Sequence, residues 1–109
     1  MILVVLESPY AGDVAANEAY ARACMRDCLA QGEAPFASHL LYTQPGVLDD
    51  TDPGERAAGI YAGLQWARHA DKAVVYTDHG ISAGMQLGIA RHEVNGLPVE
   101  YRTLGPFAR

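Results

Sequence analysis

Apolar and polar positions alternate along this chain in blocks of two periods. Residues 1–6, MILVVL, are a continuous apolar run with β-branched members, the pattern of a strand covered on both faces. The polar loop ESPYAGD follows. Apolar residues then recur at helical spacing, with Ala21, Cys24, Met25 and Cys28 on one stripe. This predicts a helix from Val14 to Gln31, capped by Asp13 and ended by Gly32. APFAS, residues 34–38, is a short second strand weakened by its proline. A long connection, residues 39–56, ends in Asp52-Pro53-Gly54-Glu55: a cap, a proline in the first helical position and a glutamate in the third. The second helix is therefore expected from Pro53 to His69, with Ile60, Leu64 and Ala67 facing inward. Gly59 and Gly63 lower its propensity, so close packing is expected to compensate. KAVVYT (72–77) is the third strand, SAGMQLGIARHEVN (82–95) the third helix closed by Gly96, and LPVEYRTL (97–104) the fourth strand. GPFAR (105–109) reads as a fraying tail.

The order β-α-β-α-β-α-β predicts an α/β fold: one three-layer domain over residues 1–109, of Rossmann or flavodoxin type, with about four parallel strands and helices on both faces. Ligands of such sheets sit outside the carboxyl ends of the strands, near the point where strand order reverses. Three polar loops leave those ends, at residues 7–13, 38–44 and 78–82. They are expected to bring Glu7, Ser8, Tyr10, His39, Tyr42, Asp78, His79 and Ser82 to one edge.

Composition narrows the function. Half of the 109 residues are apolar, as in an ordinary globular domain, and the net charge of −5 disfavours a nucleic-acid polymer as partner. A single nucleotide stays open, because a helix N-terminus holds a phosphate without a basic surface. The N-terminal run lacks a basic flank and breaks at Glu7, so it is not read as a signal peptide. No stretch has the roughly 20 apolar residues that span a bilayer. The expectation is a cytoplasmic protein with no membrane partner. Cys24 and Cys28, four apart on one helix face, read as buried small hydrophobes. No spacing of His, Cys, Asp and Glu suggests a metal, and no cofactor is called for.

Each candidate group has a chemical and a structural reading. Asp78 could orient a sugar hydroxyl or move a proton, or cap a turn. Ser82, Ala83 and Gly84 open the third helix; they suit a phosphate, and Ser82 suits an N-cap. GISAG lacks the lysine and spacing of a P-loop. Glu7 ends an apolar strand, where desolvation would bring a carboxyl toward acid–base use, or it is a rim residue. Tyr10, in the loop with Ser8 and Gly12, could border a base or sugar, or pack as a lid. His39 and His79 could be acid–base groups or phosphate contacts, or solvated loop residues. His69 and His92 lie on helices, and both are expected away from the strand ends. Trp66 and Tyr61 pack helix on sheet or serve an interface.

The segments SPYAGD, APFASHLLYTQ and GISAGM together resemble the nucleoside 2-deoxyribosyltransferase-like superfamily, in particular a small bacterial and phage branch with the pattern SPYAGD…APFASHLLYTQ…GISxGM. The resemblance implies a compact parallel α/β fold, cleavage or transfer at an N-glycosidic bond, a nucleoside or nucleotide as small-molecule partner, and a homodimer or larger homo-oligomer. Tyr10 matches a tyrosine after the first strand, Asp78 an aspartate closing the strand before the motif, and Ser82 a phosphate-binding serine. The nucleophilic glutamate expected six residues after that serine is here Gly88. Glu7 is the best substitute; His79 or a water activated by Asp78 could support direct hydrolysis instead. The readings are thus a nucleotide N-glycosidase or deoxyribosyltransferase-like enzyme, a catalytically silent nucleotide-binding module acting as sensor or sequestering protein, and an α/β domain whose partner is a protein.

Overall fold

The structure, a computed structural model, describes residues 1–105. Its elements are β1 (Ile2–Glu7), α1 (Val14–Ala30), β2 (Glu33–Phe36), α2 (Pro53–Ala67), β3 (Lys72–Tyr76), α3 (Ala83–Val94) and β4 (Val99–Arg102), with a 3-10 turn at Ser38–Leu40. The four strands form one parallel sheet in the order β2-β1-β3-β4. The expected α/β class is therefore correct. Of the expected tail, residues 106–109 lie outside the described part.

The order puts β1 and β3 at the centre, and both carry the unbroken apolar runs. Val4, Val5, Leu6, Ala73, Val74, Val75 and Tyr76 are all buried. Each large aliphatic side chain among them contributes about 2 kcal/mol by leaving water. β2 is an edge strand, which is why Pro35 is tolerated although it lacks a donor.

Strand order also decides which face each helix covers. The chain steps from β1 to β2 in one direction and from β2 to β3 and then β4 in the other. Right-handed crossovers then place α1 on one face and α2 and α3 on the opposite one. The cores agree. Tyr20, Cys24 and Cys28 of α1 pack with Val4, Leu6, Val74 and Tyr76, while Met85 and Ile89 of α3 pack with Val75. Cys24 and Cys28 are free and fully buried, as read from their spacing.

Side-chain caps set the helix starts. Asp13 accepts from the Ala16 N–H at 3.1 Å, Asp52 from Glu55 N–H at 2.9 Å, and Ser82 from Met85 N–H at 3.2 Å. Gly32 and Gly96, with φ of 79° and 74°, follow α1 and α3 in the left-handed region that favours glycine. β4 is shorter than its apolar pattern suggests, because its flanks are used elsewhere. The Leu97 N–H closes α3 on the His92 carbonyl at 2.9 Å, and the Leu104 N–H turns to Asp78.

α2 departs most from expectation. Among its residues only Ala67 is buried, and Ile60, expected inside, is 46% exposed. The glycines do allow close packing, but against the preceding connection. A Cβ on Gly59 would lie 3.3 Å from Leu48, and one on Gly63 3.3 Å from Ser38. α2 thus leans on residues 38–48 and leaves space between itself and the sheet. Trp66 stacks on Phe36 of β2 with centroids 5.8 Å apart, whereas Tyr61 is mostly exposed.

Candidate active site

The space beneath α2 is a cavity of about 350 Å³ at the carboxyl ends of β1 and β2, walled on the far side by α3. Glu7, the last residue of β1, points into it. The alternation along β1 sends Val4 and Leu6 toward α1, and Val5 and Glu7 toward α2 and α3. The Glu7 side chain retains 15% of its exposure. Its carboxylate lies flat against Gly88: a Cβ there would sit 2.9 Å from each carboxylate oxygen. No other residue type leaves room for the acid in this position.

The carboxylate is fixed from below. His92 Nε2 lies 2.8 Å from Glu7 Oε2, and the imidazole is 2% exposed. A carboxylate only accepts, so the matching tautomer carries its hydrogen on Nε2. Nδ1 has no partner among the described residues. His92 was expected away from the strand ends. The structure corrects this: the third helix runs back along β1, and its last turn reaches the Glu7 side chain. A signal was present, because Met85, Ile89 and His92 are spaced 4 and 3 apart on the buried stripe of α3.

His39 also lines the cavity, and Tyr10 stacks on it with centroids 5.0 Å apart and planes at 17°. Tyr10 therefore touches the site through His39. Asn17 holds the loop by donating to the carbonyls of Tyr10 and Ala11 at 2.8 and 3.0 Å. Burial pushes the His39 imidazole below its ordinary range, against the opposing fields of Glu7 and Asp50. Tyr42, Phe36, Leu48 and Leu64 give the cavity an apolar side. Arg56, paired with Asp50 at 2.9 Å, and Arg91 supply positive charge at the wall. Arg56 Nη2 sits 3.8 Å from the place a Gly84 Cβ would take, beside the N-terminus of α3. Ser82, Ala83 and Gly84 are exposed there, and Gly84 borders the cavity.

The other candidates lie elsewhere. Asp78 follows β3 and lies on the α1 face. It accepts from the Tyr20 hydroxyl at 2.6 Å, from the Leu104 N–H at 3.0 Å and from the Gly105 N–H at 3.3 Å. Burial opposes its charge, but these bonds outweigh burial and hold its carboxyl below the usual range. His79 is exposed and stacks on Tyr20 at 4.2 Å, on the same face as Asp78. Ser8 is buried with its Oγ unpartnered among the described residues, and Gly12 lies exposed in the turn before Asp13. The eight residues expected at one edge are thus divided by the sheet. Glu7, His39 and Tyr42 share the cavity; Asp78 and His79 do not reach it.

No three His, Cys, Asp or Glu side chains among the described residues are grouped to hold a metal. No described helix is long and apolar enough to cross a membrane.

Residues 2–102 match the family described as a domain of unknown function, DUF7768, and the chain belongs to that family. No curated protein matches the sequence. Among solved structures, the fold is similar to that of the 2-deoxyribosyltransferase from the psychrotolerant bacterium Bacillus psychrosaccharolyticus, with a TM-score of 0.72 at 15% identity. The match covers 93% of this chain and 72% of that one, and that enzyme is described as a biocatalyst for nucleoside synthesis.

Proposed function

We propose that this chain cleaves the N-glycosidic bond of a nucleoside or nucleoside 5′-monophosphate, with Glu7 as the carboxylate that meets the anomeric carbon. The observation that carries this reading is the Glu7 carboxylate pressed against Gly88 at the wall of the cavity. A carboxylate beside an anomeric centre can form a glycosyl ester and split one difficult displacement into two. The resemblance puts that carboxylate on α3. Here β1 brings one beside Gly88 from the adjacent strand end, and the glycine makes room for it.

The chemistry balances with water alone. A Glu7 oxygen bonds to C1′ as the C1′–N bond breaks. The base leaves with the electron pair and takes a proton from water. A further water attacks C1′, breaks the ester, frees the sugar and gives its proton to the medium. A second base in place of that water would make the reaction a transfer.

A 5′-phosphate would sit at the N-terminus of α3. Gly88 lies four positions after Gly84, about 6 Å along a helix. That span is comparable with the one between the phosphate and the anomeric carbon of a nucleotide. Backbone N–H groups at Ala83 and Gly84 and the Arg56 guanidinium would meet the anion, the Ser82 N–H being turned to Met85 Sδ. His39, whose charged form burial disfavours, would offer a hydrogen bond to the ligand. The exposed apolar residues Ile60, Tyr61, Leu87 and Val94 of α2 and α3 support a homo-oligomer.

The test is chromatography of a nucleoside and nucleotide panel after incubation with the protein and with Glu7→Gln. Free base from the unmodified chain alone is the expected result. Intact substrates throughout, with a nucleotide retained by the protein, would replace this reading by the silent binding module.

A further inference from the structure

The Glu7 carboxylate has two chemically unequal oxygens. Oε2 is bonded to His92 Nε2 at 2.8 Å, and no described residue bonds to Oε1. The two α3 residues that create this inequality are one turn apart, Gly88 and His92, on the same side of the helix. Gly88 admits the acid and His92 grips one oxygen of it. The imidazole is buried and its other nitrogen is unpartnered, so it has no route for passing a proton onward.

We infer that His92 is the positioning residue of the site: it holds Oε2 through Nε2–H and leaves Oε1 as the oxygen that bonds to C1′. This rests on the glycosidic reading above and adds to it an atom and a residue. In the glycosyl ester Oε1 carries the sugar and Oε2 becomes the carbonyl oxygen, which still accepts from the same Nε2–H. The hydrogen bond therefore survives the step, and the carboxylate need not turn between its two states. Without it, the side chain rotates about its own bonds, and misplacement by about 1 Å costs on the order of a hundredfold in rate.

His92→Leu is expected to lower kcat for base release by about a hundredfold with KM little changed, because the imidazole borders the cavity but, at 2% exposure, offers a ligand almost no surface. His92→Gln, whose amide N–H can take the place of Nε2–H, is expected to recover most of the loss. Gly88→Ala should behave like His92→Leu while staying folded, since the end of the flexible Glu7 chain is what must give way. Full kcat in His92→Leu, or a loss in His92→Gln equal to that in His92→Leu, would overturn the inference and leave the glycosidic reading standing. Nitrogen-15 NMR of the imidazole decides the geometry even if no substrate is turned over. Hydrogen on Nε2, with a signal that moves in Glu7→Leu, is the expected result. Hydrogen on Nδ1, or a signal indifferent to Glu7→Leu, would overturn it.

Discussion

Two carboxylates leave adjacent strand ends, Glu7 from β1 and Asp78 after β3, and the sheet sets them in opposite surroundings. Asp78 receives a tyrosine hydroxyl and two backbone N–H groups, so both its oxygens are committed to joining α1 to the segment after β4. Glu7 receives one hydrogen bond and faces a cavity. The same contrast extends over the two faces. On the α1 side even the charges are paired: Glu33 binds Arg102 at 2.8 Å and Lys72 at 3.0 Å, and Arg102 reaches the Tyr76 hydroxyl at 3.3 Å. On the α2 side a buried imidazole nitrogen lacks a partner and a helix stands off the sheet. Polar groups that satisfy one another hold a fold. A polar group left with capacity to bond, beside a space, is available to a ligand.

Four measurements press on that contrast. Glu7→Gln carries the largest expected effect, a fall in base release of about a thousandfold with the melting temperature nearly unchanged. Equal rates would put the two carboxylates back on the same footing.

Acid titration of stability comes next. Arg102 first, and Lys72 with it, hold the Glu33 carboxyl at about 2 against the opposing effect of burial, below its ordinary 4.5. As pH falls, the unfolded chain takes up this proton before the folded one does. The stabilisation, on the order of 3 kcal/mol, is complete above the unfolded value and is lost as pH falls toward about 2. Urea unfolding between pH 6 and 3 should show a steeper loss in the native chain than in Glu33→Gln. Parallel slopes would remove Glu33 as the source.

Asp78→Ala strips acceptors from Tyr20, Leu104 and Gly105, and should cost about 2 kcal/mol of stability. Base release per folded molecule should change far less than in Glu7→Gln. A collapse of activity at unchanged stability would reverse the roles assigned to the two acids. His79→Ala should be the mildest, about 0.5 kcal/mol through its stack on Tyr20 and without effect on turnover.

The elements were readable because each carries a local signal. The β-branched runs made β1 and β3, and Asp13, Asp52 and Ser82 began the helices as their side chains dictate. The division of the site was not readable, for a physical reason. A strand buried on both faces shows no alternation of polar and apolar residues, so nothing in MILVVLE or KAVVYTD says which side its acid will take. The cavity was hidden because it depends on α2 packing against residues 38–48, a long-range choice that Gly59 and Gly63 permit but do not announce. His92 could have been found from its place on the apolar stripe of α3, where a polar side chain is out of pattern and needs a partner.

The detachment of α2 has a consequence for how this architecture can change. The floor of the cavity is β1 and α3, and it is welded to the central strands through Val5, Val75, Met85 and Ile89. The roof, with Leu48, Arg56, Ile60 and Leu64, rests on a connection outside the sheet. Under the proposed function, substitutions overhead should therefore reshape which ligand is admitted at little expense to folding, while the acid beneath keeps its geometry. The wall that can vary and the acid that is held belong to separate parts of the fold.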